Sequence, residues 1–243
     1  VGRCRGDRRG HPRDRPHLLA RMTDAAPELA VLIVNYRTGE HLARCLDSLE
    51  ARRGDLAVET IVVDNASGDG SEVAARGRAG VRLVENPRNL FLSPAWNQAA
   101  RLTTAPWLLF LNPDTELREG TLADLVALGR AAPRAGIVGP MLRDPDGSIF
   151  TSGRAFPRIR DAVGHALLGS VRPGNRFTRR YHLDGWDRTS PRAVDWVSGA
   201  AMLMPRAAYE AVGGFDESFL LYGEELDIAT RLRAAGWGVR FEP

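Results

Sequence analysis

The apolar positions of this chain change period repeatedly, and the changes divide it into alternating elements. From Leu29, LAVLIVN reads as a buried strand, and Gly39 to Arg52 follows as an amphipathic helix with Leu42, Cys45, Leu46 and Leu49 at i, i+3, i+4 and i+7. ETIVVDN (59–65) predicts a second strand, 67–76 a helix, and VRLVEN (81–86) a third strand. A helix over 94–103, the strand PWLLFLN (106–112) and a helix over 121–130 continue the pattern. Strands alternating with helices of this length imply βαβ units and a mostly parallel sheet.

After Gly136 the pattern shortens. AGIVGPML, a DPDG turn at Asp144 to Gly147, and SIFTSG predict short antiparallel strands. Residues 154–192 are rich in Arg, Gly and Pro with weak periodicity and read as a long functional or mobile loop. Pattern resumes with AVDWVSGAAMLMP (193–205), a short helix over 205–212, a GGFDESF turn, a helix over 224–235, and a strand-like GVRFEP. The chain stops directly after that strand, so a domain cut short at its C-terminus is expected.

Composition narrows the class. At 243 residues, with 44% hydrophobic and 26% charged positions, the chain fits one large globular α/β domain. It has no apolar run of the roughly 18 residues that a spanning helix needs. The net charge of +3 belongs to the leader. Residues 1–22 hold seven arginines against two aspartates, a balance of +5, so the remainder is net −2 and offers no nucleic-acid-binding face. All 33 basic residues are Arg, which reads as codon bias. Residues 1–26 lack apolar periodicity and a secretory apolar stretch, and read as a disordered basic leader. Met22 is a candidate true start; the rival reading is a basic arm that touches anionic lipid. Residues 27–243 form the folded domain. Cys4 and Cys45 make no disulfide framework, Cys45 falls on a core stripe, and a reducing cytoplasmic setting is consistent.

Chemistry concentrates at strand ends. Asn35-Tyr36, Asp64-Asn65 and Asn112 to Glu116 each follow a predicted strand, and in a parallel sheet such ends share one crevice. Asp114 is an oxygen ligand suited to Mg²⁺ or Mn²⁺, and a divalent ion there would partner a substrate diphosphate. DNASGDG reads equally well as a simple Asx turn. No GxGxxG or GxxxxGK[ST] phosphate loop is present, which removes the anchor of hydride-transfer and P-loop chemistry. Arg88 and Arg231 are candidate cationic supports. Glu224, Glu225 and Asp227 crowd one helix start, more carboxylate than capping needs, and supply a candidate general base.

Taken together, VLIVNY, IVVDNASGDGS, ENPRNL with AWN, FLNPDTEL, VSGAAMLMPR and VGGFDESFLLYGEELDIATRLRAAGW resemble the family-2 inverting glycosyltransferases of the GT-A fold, in particular the rhamnosyltransferase-like group of bacterial surface polysaccharide synthesis. The resemblance spans about Leu29 to Glu242. It implies a mostly parallel central sheet flanked by helices, with a smaller antiparallel acceptor-side portion. It places Asn35 and Asp64 near the base and ribose with Asn65 beside them, Asn97 in the donor-site segment, Arg231 at a basic position after the acidic motif, Asn112 within the metal-binding motif, and Gly199 in the small-residue stretch near the sugar and acceptor; Tyr36 and Arg88 join them as donor-site candidates from their own positions. Asp114 matches the metal-binding carboxylate. Glu225 matches the residue that deprotonates the acceptor, with Glu224 and Asp227 as substitutes.

The implied reaction is a single inverting displacement from a dTDP or UDP sugar, rhamnose or a similar hexose, to a saccharide or polyprenyl-linked acceptor. The implied place is the cytoplasm, with peripheral contact at the inner membrane face. Three departures stand out. The segment after Asn89 usually carries Gly-Phe and here reads Phe91-Leu92-Ser93-Pro94, Asn112 replaces an Asp, and a His-containing end is missing. The alternatives are a non-catalytic nucleotide-sugar-binding module of the same fold, and a sugar-nucleotide pyrophosphorylase whose Gly-rich basic first loop NYRTGEHL does not supply.

Overall fold

The computed structural model describes residues 26–156, 183 and 185–243. The basic leader up to residue 25 and most of the 154–192 segment lie outside the described residues.

The first strand, β1 (Leu29–Asn35), is buried along its whole length because both of its faces are covered. Leu29, Val31 and Ile33 point to one core, while Ala30, Leu32 and Val34 point to the other. Helices α1 (His41–Ala51) and α3 (Leu122–Ala131) supply Leu42, Cys45, Leu46, Leu49, Leu122 and Val126 to the first core. Helices α2 (Leu92–Arg101), α4 (Arg206–Ala211) and α5 (Glu224–Ala234) supply Trp96, Tyr209, Ile228 and Leu232 to the second.

The remaining strands are β2 (Val58–Asp64), β3 (Val81–Glu85), β4 (Trp107–Leu111), β5 (Ala135–Pro140), β6 (Leu142–Arg143), β7 (Ile149–Phe150), β8 (Arg192–Val194), β9 (Ala201–Pro205) and β10 (Gly238–Glu242). Seven of them join β1 in one sheet, in the order β3-β2-β1-β4-β9-β5-β10-β8. The β1, β2, β3 and β4 pairings are parallel, as the alternation predicts. Only β9 and β8 run counter to the rest. β6 and β7 make a separate antiparallel hairpin closed by Asp144 and Gly147, whose φ of +88° suits glycine.

Local signals set the helix starts. Thr121 caps α3 in a reciprocal box with Asp124. Pro94 sits in the first turn of α2, where its missing N–H costs no internal bond, so the helix begins two residues earlier than its pattern suggests. The expected helix over 67–76 is a correction: only a 3₁₀ turn, Ser71–Ala74, forms there. Left-handed backbone at Ala66, Gly68 and Gly70 interrupts the helical path, and Ser67 and Ser71 spend their side chains on Asp64, Asn35 and Asp69 instead. The run 193–205 also divides, with β8 at the sheet edge and β9 inside, because Trp196 turns aside to bridge Arg154.

Candidate active site at the strand ends

Because β1, β2, β3 and β4 are parallel, their C-terminal ends open on one edge, and β9 enters from that same edge. Backbone bonds carry the ladder past the strands: Asn65 N–H donates to Asn35 O at 2.8 Å, and Asn86 N–H to Asp64 O at 2.8 Å. The side chains beneath are mutually satisfied. Asn35 donates to Asp64 Oδ1 at 2.7 Å, to Ser71 Oγ at 2.7 Å and to Ser67 Oγ at 3.1 Å, and accepts from Thr38. Asp64 also accepts from Ser67 N–H at 3.1 Å. Both residues are buried. Asn65 donates to Phe91 O at 3.0 Å and accepts from Asn86 at 2.9 Å. These residues build the floor of the crevice, and Tyr36 and Phe91 are exposed at its rim.

At the end of β4, Asn112 N–H donates to Ala200 O at 2.9 Å, which ties this turn to the segment before β9. Asn112 O accepts from Thr115 N–H at 3.2 Å and from the Thr115 hydroxyl, folding the turn back on itself. Asp114 projects from it, exposed and without a hydrogen-bond or ion-pair partner among the described residues. Glu116 differs, because Arg44 at 3.1 Å and Arg118 at 3.8 Å hold it. Cys45 lies under the turn, its Sγ 3.9 Å from Asn112 O. Burial first, then the charges of Asp114 and Glu116, push its thiol up to about 12, so it stays protonated and is no nucleophile.

The described residues hold no group of three or more His, Cys, Asp or Glu placed to bind a metal. Asp114 is therefore a single protein carboxylate with the Asn112 amide beside it. That donor set fits a hard divalent ion whose other ligands come from a diphosphate and water.

The third part of the edge is the start of α5. Its three acids have three different environments. Asp227 is paired with Arg231, at 2.8 Å and 2.5 Å, and Arg231 also donates to Val212 O and Gly214 O at 2.7 Å each. Glu224 is buried with one carboxyl oxygen unpartnered; burial, with a further push from Glu225, raises its pKa. Glu225 is half-buried and has no partner among the described residues. A Cβ built on Gly199 would lie 4.0 Å from its carboxyl carbon, so Glu225 stands over the Ser198–Ala200 segment that is bonded to Asn112.

The fold thus gathers the strand-end candidates on one edge and sorts them. Asp114, Asn112, Glu225 and Arg88 have unpaired side chains among the described residues; Tyr36 carries only the Arg37 guanidinium, 5.3 Å from its ring centre. Asn97 lines a separate cavity of about 620 Å³ between α2 and α4, and all its bonds go to Tyr209, Phe215 and Glu217. Sequence reasoning missed Ser67 and Ser71, whose only signal was the Ser-rich turn, and Thr38 and Arg44, which gave none.

The chain matches the Glycosyl transferase family 2 domain over residues 30–205, so α5 lies beyond the matched segment. It is 36% identical over 228 residues to the N-acetylglucosaminyl-diphospho-decaprenol L-rhamnosyltransferase of Mycobacterium tuberculosis, covering 89% of this chain and 73% of the relative. It is 24% identical over 220 residues to rhamnosyltransferase WbbL of Escherichia coli, covering 88% and 80%. The mannosyltransferase PcManGT of Pyrobaculum calidifontis, solved with GDP-Man and Mn²⁺, superposes at a TM-score of 0.58 and 19% identity, covering 90% of this chain. GalNAc-T7, solved with UDP, GalNAc and Mn²⁺, superposes at 0.63 and 16% identity, also covering 90%. This chain spans 57% and 43% of those two solved chains, and the shared architecture is the GT-A fold.

Proposed function

The chain belongs to glycosyl transferase family 2, and on that premise we propose that it moves a sugar, rhamnose or a similar hexose, from a dTDP- or UDP-type donor to a saccharide or polyprenyl-linked acceptor in cell-surface polysaccharide synthesis. The observation that carries this reading is the sorting of the acids. Of the six carboxylates at Asp64, Asp114, Glu116, Glu224, Glu225 and Asp227, only Asp114 and Glu225 are neither paired nor buried, and both stand on the crevice edge. The decaprenyl-linked acceptor named for the mycobacterial relative supports a lipid-linked acceptor here. The same lipid-linked acceptor supports action at the inner membrane face; no helix of the described residues is long and apolar enough to cross a membrane.

In this reading Glu225 accepts the proton of the acceptor hydroxyl while its oxygen bonds to the anomeric carbon. The bond from that carbon to the diphosphate oxygen breaks, and configuration inverts. Asp114, with Asn112, would hold Mg²⁺ or Mn²⁺, which when bound supplies positive charge for the departing diphosphate. Gly199 leaves room for the acceptor beside Glu225. Tyr36 flanks the base, Arg88 is free to meet phosphate, and the Asn35–Asp64–Asn65 floor fixes the turn that the nucleoside rests on.

One observation favours a second reading, a nucleotide-sugar-binding module without turnover: the Asp114 turn offers one carboxylate where Asn112 could have been another. A screen of dTDP- and UDP-sugars with Mn²⁺ or Mg²⁺ separates the two. Metal-dependent binding with transfer that Glu225→Gln abolishes supports the transferase; binding without transfer supports the module; no binding overturns both.

A further inference from the structure

Phe91 has φ +64° and ψ −173°, a backbone region that is nearly reserved for glycine. The conformation is held from both sides. Phe91 N–H donates to Asn89 Oδ1 at 2.7 Å, and its carbonyl accepts from Asn65 Nδ2 at 3.0 Å. Asn65 is itself held by Asn86, which exchanges bonds of 3.0 Å and 2.9 Å with Gln98 on α2. A chain of amides from the end of β2 to α2 therefore keeps a phenylalanine where glycine would be unstrained.

Core packing does not repay this strain. The Phe91 side of the turn is 43% exposed, and the ring has no aromatic or cationic partner among the described residues. Tyr36, 41% exposed, is also at this edge, directly after β1, while Phe91 follows β3 and is tied to the end of β2. Both rings thus stand exposed beside the buried Asn35–Asp64–Asn65 floor, Tyr36 directly after Asn35 and Phe91 bonded to Asn65.

We propose that Phe91 is a donor-binding residue, an aromatic face that stacks on the nucleobase beside the Asn35–Asp64–Asn65 floor. The proposal rests on the donor reading above and adds a residue to it. It explains why the strain is kept: the ring acts on the ligand and not on the fold.

The test uses the full chain with Mn²⁺, measuring calorimetric affinity for dTDP and UDP alongside the thermal midpoint. Phe91→Gly relieves the backbone, so its midpoint should match or exceed wild type, while its affinity for both nucleotides falls roughly tenfold. Phe91→Tyr should keep wild-type affinity. Phe91→Leu keeps bulk without a π-face and should also bind weakly, which decides the matter if the glycine variant fails to fold. Wild-type affinity in the Gly and Leu variants would overturn the proposal and leave the donor reading standing. Wild type that binds neither nucleotide would overturn both.

Discussion

The carboxyl carbon of Glu225 lies 4.0 Å from the place a Cβ would take on Gly199, and the ring of Trp96 lies 3.7 Å from the same point. These are ordinary contact distances, and Gly199 has no left-handed backbone to strain. Gly199→Ala should therefore fold with a stability change within about 0.5 kcal/mol, yet lose transfer as the methyl fills the space beside the base. Thermal melts with donor and acceptor kinetics check this; full activity in the alanine variant would show that the acceptor does not pass over Gly199.

Glu225 and Asp227 should separate function from stability. Glu225→Gln removes an unpaired carboxylate and should abolish transfer with little change in unfolding. Asp227→Asn breaks the pair with Arg231, whose side chains are 21% and 30% exposed, and should cost about 1–2 kcal/mol, between the values for exposed and buried pairs. Urea titration beside turnover reads both. Near-native turnover in Glu225→Gln would move the base to Glu224 or Asp227.

Asp114→Asn should leave the thermal midpoint unchanged without ligand, because the side chain is exposed and unpaired. It should remove the extra stabilisation that Mn²⁺ gives in the presence of a nucleoside diphosphate. A retained metal-dependent shift would mean that the ion is held elsewhere.

Glu224 sets a pH dependence. Its folded-state pKa is raised by burial and then by Glu225, so its contribution is fully present below the ordinary glutamate range and is lost as pH rises through the raised value. Glu224→Gln cannot titrate. The variant's midpoint should rise relative to wild type as pH goes from about 4 to about 8. A constant difference across that range would show that Glu224 does not carry the proton.

Asn35→Ala should leave Asp64, Ser67 and Ser71 with lost partners in a buried site, at a cost of about 2–3 kcal/mol. Denaturant unfolding measures it, and a loss under 0.5 kcal/mol would show that the serines re-pair without Asn35.

Much of the fold was legible because strands buried on both faces and amphipathic helices leave different periods. LAVLIVN and the Leu42–Leu49 stripe are local patterns, and the parallel order follows from their alternation. The 67–76 segment departs from its expectation: the alternation calls for a helix between two strands, but its apolar residues are only the run Val73-Ala74-Ala75. Its fate was decided by Asp64 and Asn35, which lie outside the window and recruit its serines.

By itself the sequence determined the α/β class, the strand-end placement of Asn35, Asp64 and Asp114, and the crowding of three acids at one helix start, because each depends on neighbours along the chain. Only the tertiary structure decided which of these side chains remain free. Whether a carboxylate is paired depends on groups distant in sequence, such as Arg44 for Glu116, and on burial, as for Glu224. The same holds for Phe91, whose glycine-like backbone is imposed by Asn65 from another strand and leaves no trace in its own residue type.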